Sequence, residues 1–188
     1  TDNRYRYIGK GLPRKDGVEK AAGSALFTHD LALPGMLHAK TVCSPHAHAR
    51  IRSIDTREAE AVPGVRAVVT GRELDYKVGL YVLDKDILAK EFVRYQGEAV
   101  AAVAADSALA AEEACEKIRV EWEPLEAVMD PKRALQPDSP RVHPDLGNYR
   151  YMKGVFFPQP GTNVPHQQKI RKGDLAKGLA EADLVVET

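Results

Sequence analysis

The stretch Cys43-Ser44-Pro45-His46-Ala47-His48 concentrates the residues most able to do chemistry. It holds one thiol and two imidazoles, with His29 and His38 nearby in sequence. A zinc site needs about four converging donors and usually an outer layer of hydrogen bonds that orients them. In an extended chain His46 and His48 share a face, and Pro45 sets a turn between them and Cys43. No paired CxxC or HxxxH accompanies them. The structural reading, histidines along a strand edge bonded to backbone, therefore weighs more than a metal site. Gly9-Lys10-Gly11 lacks the rest of a dinucleotide fingerprint, and no GxxxxGK[ST] phosphate loop occurs. Gly97 reads as a backbone turn or bulge ahead of a strand. Ser44, Ser53 and Ser107 have no evident base, and none lies in a GxSxG elbow. Glu112, Glu113 and Glu116 read as a solvated helix face, because acid–base work needs a desolvated, converging pair. Met152-Lys153 lacks the flanking pattern of a lipoyl or biotin carrier. No complete catalytic constellation is present, and no catalytic, cofactor-binding or metal-ligating residue is assigned.

The elements that would position these residues centre on 93–124, VRYQGEAVAAVAADSALAAEEACEKIRVEWEP. Glu98–Ala105 is a run of small apolar residues suited to a strand covered on both faces. Asp106 or Ser107 can cap a helix running to about Lys117, with Ala108, Ala111 and Cys115 on one side. Glu113 and Lys117 are spaced to pair across one turn. Ile118, Val120 and Trp122 then alternate with Arg119, Glu121 and Glu123, the two-residue period of a half-buried strand, and Pro124 ends it. If the two strands are parallel, the crossover is expected to be right-handed.

Residues 1–24 read as an extended polar arm. Within 25–130, strands are expected at Phe27–Asp30, Leu37–Cys43, Ala49–Ile54 and Arg66–Thr70, with Pro34-Gly35 and Pro63-Gly64 as turns. Asp55 is expected to cap a brief helix, Thr56–Ala61. Strand, helix and strand thus occur twice, near 50–70 and 98–123. Residues 71–92 are weakly patterned, with a possible short strand at Gly79–Leu83. The stretch 131–172 is rich in proline, which removes backbone donors. It is expected to form a short helix near Pro131–Leu135 and then an extended segment ordered against a partner. Residues 173–188 read as a helix, Gly173–Ala182, and a strand, Leu184–Glu187, that has no companion left in the chain.

The 188 residues contain 44% hydrophobic and 29% charged residues, ordinary for a globular protein with a real core. Lys+Arg and Asp+Glu are 27 each, so the formal charge is zero. That argues against nucleic acid as a partner, since phosphate neutralisation needs a basic surplus. No apolar run approaches the roughly 20 residues of a membrane helix, so no membrane partner is expected. The opening TDNRYRYIGKG has neither an apolar signal core nor an initiator Met, so a processed or excerpted chain is expected. Cys43 and Cys115 do not make a disulfide framework, and a reducing, cytoplasmic setting is the expectation.

Several pieces together carry a resemblance. They are Ile8-Gly9-Lys10, Pro13-Arg14-Lys15-Asp16, Glu19-Lys20 and Gly23, then Phe27-Thr28-His29-Asp30 and Pro34-Gly35-Met36-Leu37-His38-Ala39. Ser44-Pro45-His46-Ala47-His48-Ala49-Arg50-Ile51, Ile54-Asp55 and Pro63-Gly64-Val65 follow, then Val93-Arg94-Tyr95-Gln96-Gly97-Glu98-Ala99-Val100 and Val120-Glu121-Trp122-Glu123-Pro124-Leu125. His143-Pro144-Asp145-Leu146-Gly147-Asn148, Gly173-Asp174 and Glu181-Ala182-Asp183 complete the set. The chain resembles the N-terminal α/β-hammerhead domain of the molybdenum-binding large subunit in the xanthine dehydrogenase/aldehyde oxidase family. The SPHAHARI and QGE pieces make the match specific. The tract Tyr149–Gln168, with Phe156-Phe157-Pro158-Gln159-Pro160, departs from it.

The resemblance implies an α+β fold with two strand–helix–strand units and a mixed sheet, followed by the Pro-rich segment. It implies a hydroxylase or dehydrogenase of xanthine, aldehyde, aromatic or CoA-thioester type, working at a molybdopterin centre. Iron–sulfur clusters and FAD would sit on partner domains or subunits. In that family the metal and catalytic residues lie in domains after this one, so no cofactor is assigned to this chain. Its implied role is to pack on the molybdenum domains, help shape the substrate funnel and contact the electron-transfer partner. Alone it is expected to be inactive. The competing reading is a free-standing interaction module without enzyme activity.

Overall fold

The computed structural model describes residues 5–170 and 172–186. Contacts divide the chain into residues 1–36 and 37–188. In the first unit, α1 (Gly17–Ala21) and a 3-10 turn (Thr28–Asp30) bury no residue. The strand expected at Phe27–Asp30 is that turn instead. The Asp30 carboxylate accepts the Phe27 N–H at 2.9 Å and closes the chain on itself. A short-range side-chain bond thus outcompetes an extended conformation that has no ladder partner.

The second unit runs β1 (His38–Cys43), β2 (Ala49–Asp55), α2 (Arg57–Glu60), β3 (Val65–Thr70), β4 (Lys77–Val78), β5 (Lys85–Asp86) and β6 (Phe92–Val93). It continues with β7 (Ala99–Ala105), α3 (Ala108–Lys117), β8 (Arg119–Pro124), α4 (Pro131–Ala134) and α5 (Leu175–Ala180). The local signals act as read. The Ser107 hydroxyl accepts the Ala110 N–H at 3.2 Å and starts α3. Asp55 accepts the Arg57 N–H at 3.1 Å at the start of α2. Lys117 meets Glu113 at 2.8 Å.

Both strand–helix–strand units are present, but each joins two sheets. One sheet has the order β1-β7-β3 and another β6-β2-β8, with β4-β5 as a separate ribbon. The first unit leaves β2 in one sheet and enters β3 in the other. The second unit leaves β7 and enters β8, crossing back. Every named strand pair is antiparallel, so the mixed sheet becomes antiparallel sheets. The right-handed crossover rule does not apply, because β7 and β8 never share a sheet.

Strand β7 is the common wall. Ala101, Val103 and Ala105 pack with Ala59, Val62, Ala111, Ala114 and Ile118 on the helix side. Val100 packs on the other side with Ala49, Ile51, Ala89 and Val93. The alanines let α3 lie close to the sheet, and both faces of β7 are covered as its composition demands. Gly79–Leu83 is not a strand: Lys77–Val78 pairs with Lys85–Asp86, and Val82 makes one bridge to Tyr151.

The Pro-rich stretch is not merely a segment awaiting a partner. It folds on itself and on residues 81–83. Leu83 N–H bonds Arg150 O at 2.8 Å and Met152 N–H bonds Tyr81 O at 2.9 Å. Asn163 donates to Ala134 O (3.1 Å) and Pro140 O (2.8 Å) and accepts from Val142 N–H (2.9 Å). Prolines delete donors but keep carbonyls, and the Asn163 amide satisfies that of Pro140 together with that of Ala134. Leu146 and Ser139 are buried inside this fold-back. Asp174 caps α5 by accepting the Lys177 N–H at 3.0 Å. Leu184–Val186 is not in a strand, and Glu187 lies outside the described residues.

Candidate functional site

The residues singled out by chemistry do not converge. His29 and His38 are exposed. Cys43 is exposed, with Sγ 3.7 Å from Thr41 Oγ1. The His46 ring meets Trp122 edge-on, with centroids 5.7 Å apart. His48 Nδ1 lies 2.8 Å from Glu126 O, so Nδ1 carries the proton and donates. Among the described residues no group of three or more His, Cys, Asp or Glu side chains is placed to hold a metal ion. The backbone-bonded reading fits His48, and an aromatic contact takes up His46.

The serines are structural. Ser44 Oγ donates to His46 O at 2.9 Å and accepts the His46 N–H at 3.0 Å. Ser53 Oγ donates to Glu121 at 3.1 Å, and Ser107 caps α3. Glu112 pairs loosely with Lys40 at 3.6 Å and Glu113 with Lys117, while Glu116 is exposed. Lys153 is exposed in a turn. In the first unit Gly9 has φ +77° and Lys10 N–H bonds Tyr7 O at 3.3 Å, a plain turn.

What the structure does join are the SPHAH and QGE segments. Gly97 N–H bonds Ser44 O and Ser44 N–H bonds Glu98 O, each at 2.9 Å. Gly97 sits at φ +92°, a left-handed conformation that glycine adopts without penalty. This turn folds the Glu98 side chain back, where it is buried and accepts the Arg94 N–H. Burial pushes the Glu98 carboxyl up, and the Arg94 amide bond opposes that. The Arg94 guanidinium reaches the other way: its Nε donates to Val142 O at 3.0 Å. One arginine therefore ties the QGE turn to the Pro-rich fold-back.

Around it lies a half-buried polar cluster. Lys77 pairs with Asp86 at 2.8 Å, and the Asp86 side chain is only 7% exposed. His143 Nδ1 lies 3.3 Å from Tyr149 Oη, and His143 Nε2 is 3.8 Å from Asp84. Burial lowers the His143 pKa, and the Arg94 charge adds to this against the pull of Asp84. The ring is therefore held neutral and the Asp84 contact is not an ion pair at neutral pH. A cavity of about 360 Å³ on one side of His143 is lined by Asp84, Val128, Met129, Val142 and Leu146 among others. Another of about 280 Å³ is bordered by Lys77, Asp86, Arg94 and Tyr149. In the sequence, Arg94, Glu98 and His143 stood out only as pieces of a resemblance. Asp84 and Asn163 carried no signal, because their partners are distant in the chain.

The geometry thus shows a joint built from the same segments that carry the resemblance. Residues 22–126 match the family described as aldehyde oxidase and xanthine dehydrogenase, a/b hammerhead domain. The chain belongs to this family. The hammerhead chain is 34% identical over 185 residues to the nicotinate dehydrogenase large molybdopterin subunit of Eubacterium barkeri, covering 97% of this chain and 40% of the relative. It is 34% identical over 197 residues to the aldehyde oxidoreductase of Megalodesulfovibrio gigas, covering 97% of this chain and 20% of the relative. Among solved structures, a Cu,Mo-CO dehydrogenase in the carbon monoxide reduced state matches with TM-score 0.73 and 32% identity. That match covers 94% of the hammerhead chain and 23% of that chain. The hammerhead chain therefore spans between about a fifth and two fifths of the length of these relatives.

Proposed function

We propose that this chain serves as a scaffold domain of a molybdopterin-dependent hydroxylase or dehydrogenase. On this reading it packs on the molybdenum-binding domains, shapes the substrate funnel and does no chemistry alone. The observation that carries the reading is the family match: nearly the whole chain aligns, yet with only 20–40% of the two relatives' length. Among the described residues no group of three or more His, Cys, Asp or Glu side chains is placed to hold a metal ion.

An apolar surface supports the same reading. Ile170, Leu175, Leu179, Leu184, Val185 and Val186 are all exposed, and α5 buries none of its residues. So many exposed apolar side chains within one stretch of chain favour a surface that is covered in use. The proposed division keeps 1–24 as an arm, 25–130 as the hammerhead, 131–172 as the connection and 173–188 as the start of the next domain. Iron–sulfur and flavin partners and a cytoplasmic setting belong to the proposal, the latter resting on two free thiols.

The test is to produce the chain alone and together with a molybdenum-binding part, in a host that makes molybdopterin. Metal content and dye reduction are then measured. The expected result is a chain without molybdenum or activity by itself, and a stable complex with both when the rest is supplied. Stoichiometric molybdenum on the chain alone overturns the proposal, and so does failure to form any complex.

A further inference from the structure

The tract that departs from the resemblance builds a cavity of its own. Residues 156–167 form a closed loop. Gln159 N–H bonds Val164 O at 3.0 Å, and Thr162 Oγ1 donates to Gln159 O at 2.8 Å while accepting the Val164 N–H at 3.0 Å. Phe157 N–H donates to His166 Nδ1 at 3.1 Å. The neutral imidazole therefore carries its proton on Nε2. The bonds from 81–83 to 150–152 bring Tyr81 beside this loop.

The result is a run of nearly parallel rings. Tyr81 and Phe156 stack with centroids 5.8 Å apart and planes 3° apart. Phe156 and His166 stack at 4.6 Å and 17°. His166 and Phe157 follow at 5.9 Å and 22°. Tyr81 and Phe157, at the two ends, are each about half exposed, at 48% and 55%. These rings border a cavity of about 540 Å³ whose wall continues through Gln167, Gln168 and Lys169. That volume lies in the range of small-molecule sites. Lys169 makes no ion pair among the described residues.

We propose that this cavity binds a planar aromatic carboxylate. A ring stack with an open end offers a π face, and a planar ligand extends it at the spacing the protein rings already keep. Side-chain amides supply hydrogen bonds at the ligand's edge, and the Lys169 ammonium supplies the counter-charge. An aliphatic anion would gain only the charge, and a neutral arene only the stack. The proposal is independent of the molybdenum reading, because it needs no metal and no second chain.

The test is calorimetric titration of the full chain with 2-naphthoate, its methyl ester and the non-planar decalin-2-carboxylate. One saturable site for 2-naphthoate is expected, with both controls weaker by about tenfold, the size of one stacking or charge contact. Phe157→Leu is expected to weaken 2-naphthoate about fivefold or more. Lys169→Gln, an exposed change that leaves the rings untouched, should abolish the preference for the acid over the ester. If Phe157→Leu fails to fold, as read by its urea midpoint, Lys169→Gln decides. Absence of saturable binding overturns the proposal. Equal affinity for decalin-2-carboxylate, or an unchanged acid-over-ester preference in Lys169→Gln, overturns it as well.

Discussion

Asn163→Ala tests whether the Pro-rich segment is held by its own bonds. The Asn163 amide makes three hydrogen bonds to backbone, at 2.8, 2.9 and 3.1 Å, and spans Ala134, Pro140 and Val142. At about 1 kcal/mol net each, the three sum to about 3 kcal/mol. The site is half-buried, so water recovers part of this, and a loss of about 2 kcal/mol is expected. The loss should be local, because the segment meets the sheets through few bonds. Amide exchange at Leu146, which bonds His143 O, and at Leu83, which bonds Arg150 O, should speed up roughly thirtyfold. Val103, in the wall strand β7, should not change. Asn163→Asp should cost at least as much as Asn163→Ala, since its carboxylate still accepts from Val142 but sets a charged oxygen against the Ala134 and Pro140 carbonyls. Exchange at Leu146 and Leu83 unchanged within about threefold would refute the argument. So would an equal acceleration at Val103, which would mean the fold-back and the core open together.

His143 has a depressed folded pKa, from burial first and then the Arg94 charge, with Lys77 adding to it and Asp84 and Asp86 opposing. The unfolded chain therefore takes up a proton that the folded chain refuses as pH falls below about 6.5, and the stability contribution is lost on acidification. Urea midpoints between pH 7.5 and 5.5 should fall more for the wild type than for His143→Gln. Glu98 has the opposite sense: its folded pKa is raised, so its contribution is complete below the usual carboxylate value and lost as pH rises through the folded one. Glu98→Gln should thus gain on the wild type from pH 4 to pH 7. Glu98→Ala should cost about 1–3 kcal/mol by leaving the Arg94 N–H without its acceptor. Gly71→Ala would set a Cβ 2.4 Å from Leu88 O and 2.5 Å from Ala89 O, so backbone would have to shift to admit it. A loss of about 3 kcal/mol in thermal or urea unfolding is expected.

Within 37–134 most elements were legible, because their causes are local. Alternation gave β2 and β8, the small apolar run gave β7, and Asp106 or Ser107 marked the start of α3, of which the structure uses Ser107. The failures share one cause. Phe27–Asp30 and Gly79–Leu83 carry strand-like composition, but a strand exists only where a ladder partner arrives. Asp30 bonded its own turn in one case, and β4 found β5 in the other. At the site, Gly97 was legible as a turn or bulge, since a glycine just ahead of a strand supplies one locally. The Ser44–Glu98 pairing was not, because it closes across more than fifty residues.

By itself the sequence determined β2, β7, α3 and β8, whose causes are local, and which family the SPHAHARI and QGE pieces resemble. Only the tertiary structure decided that each strand–helix–strand unit crosses between two antiparallel sheets. It also decided that Arg94 links the QGE turn to the Pro-rich fold-back, and that Tyr81 joins the rings of Phe156, His166 and Phe157. The physical reason is range. Caps, turns and alternation act over a few residues and leave a periodic trace. Sheet membership and ring stacking depend on which distant segments close together, and the chain's local pattern holds no record of that.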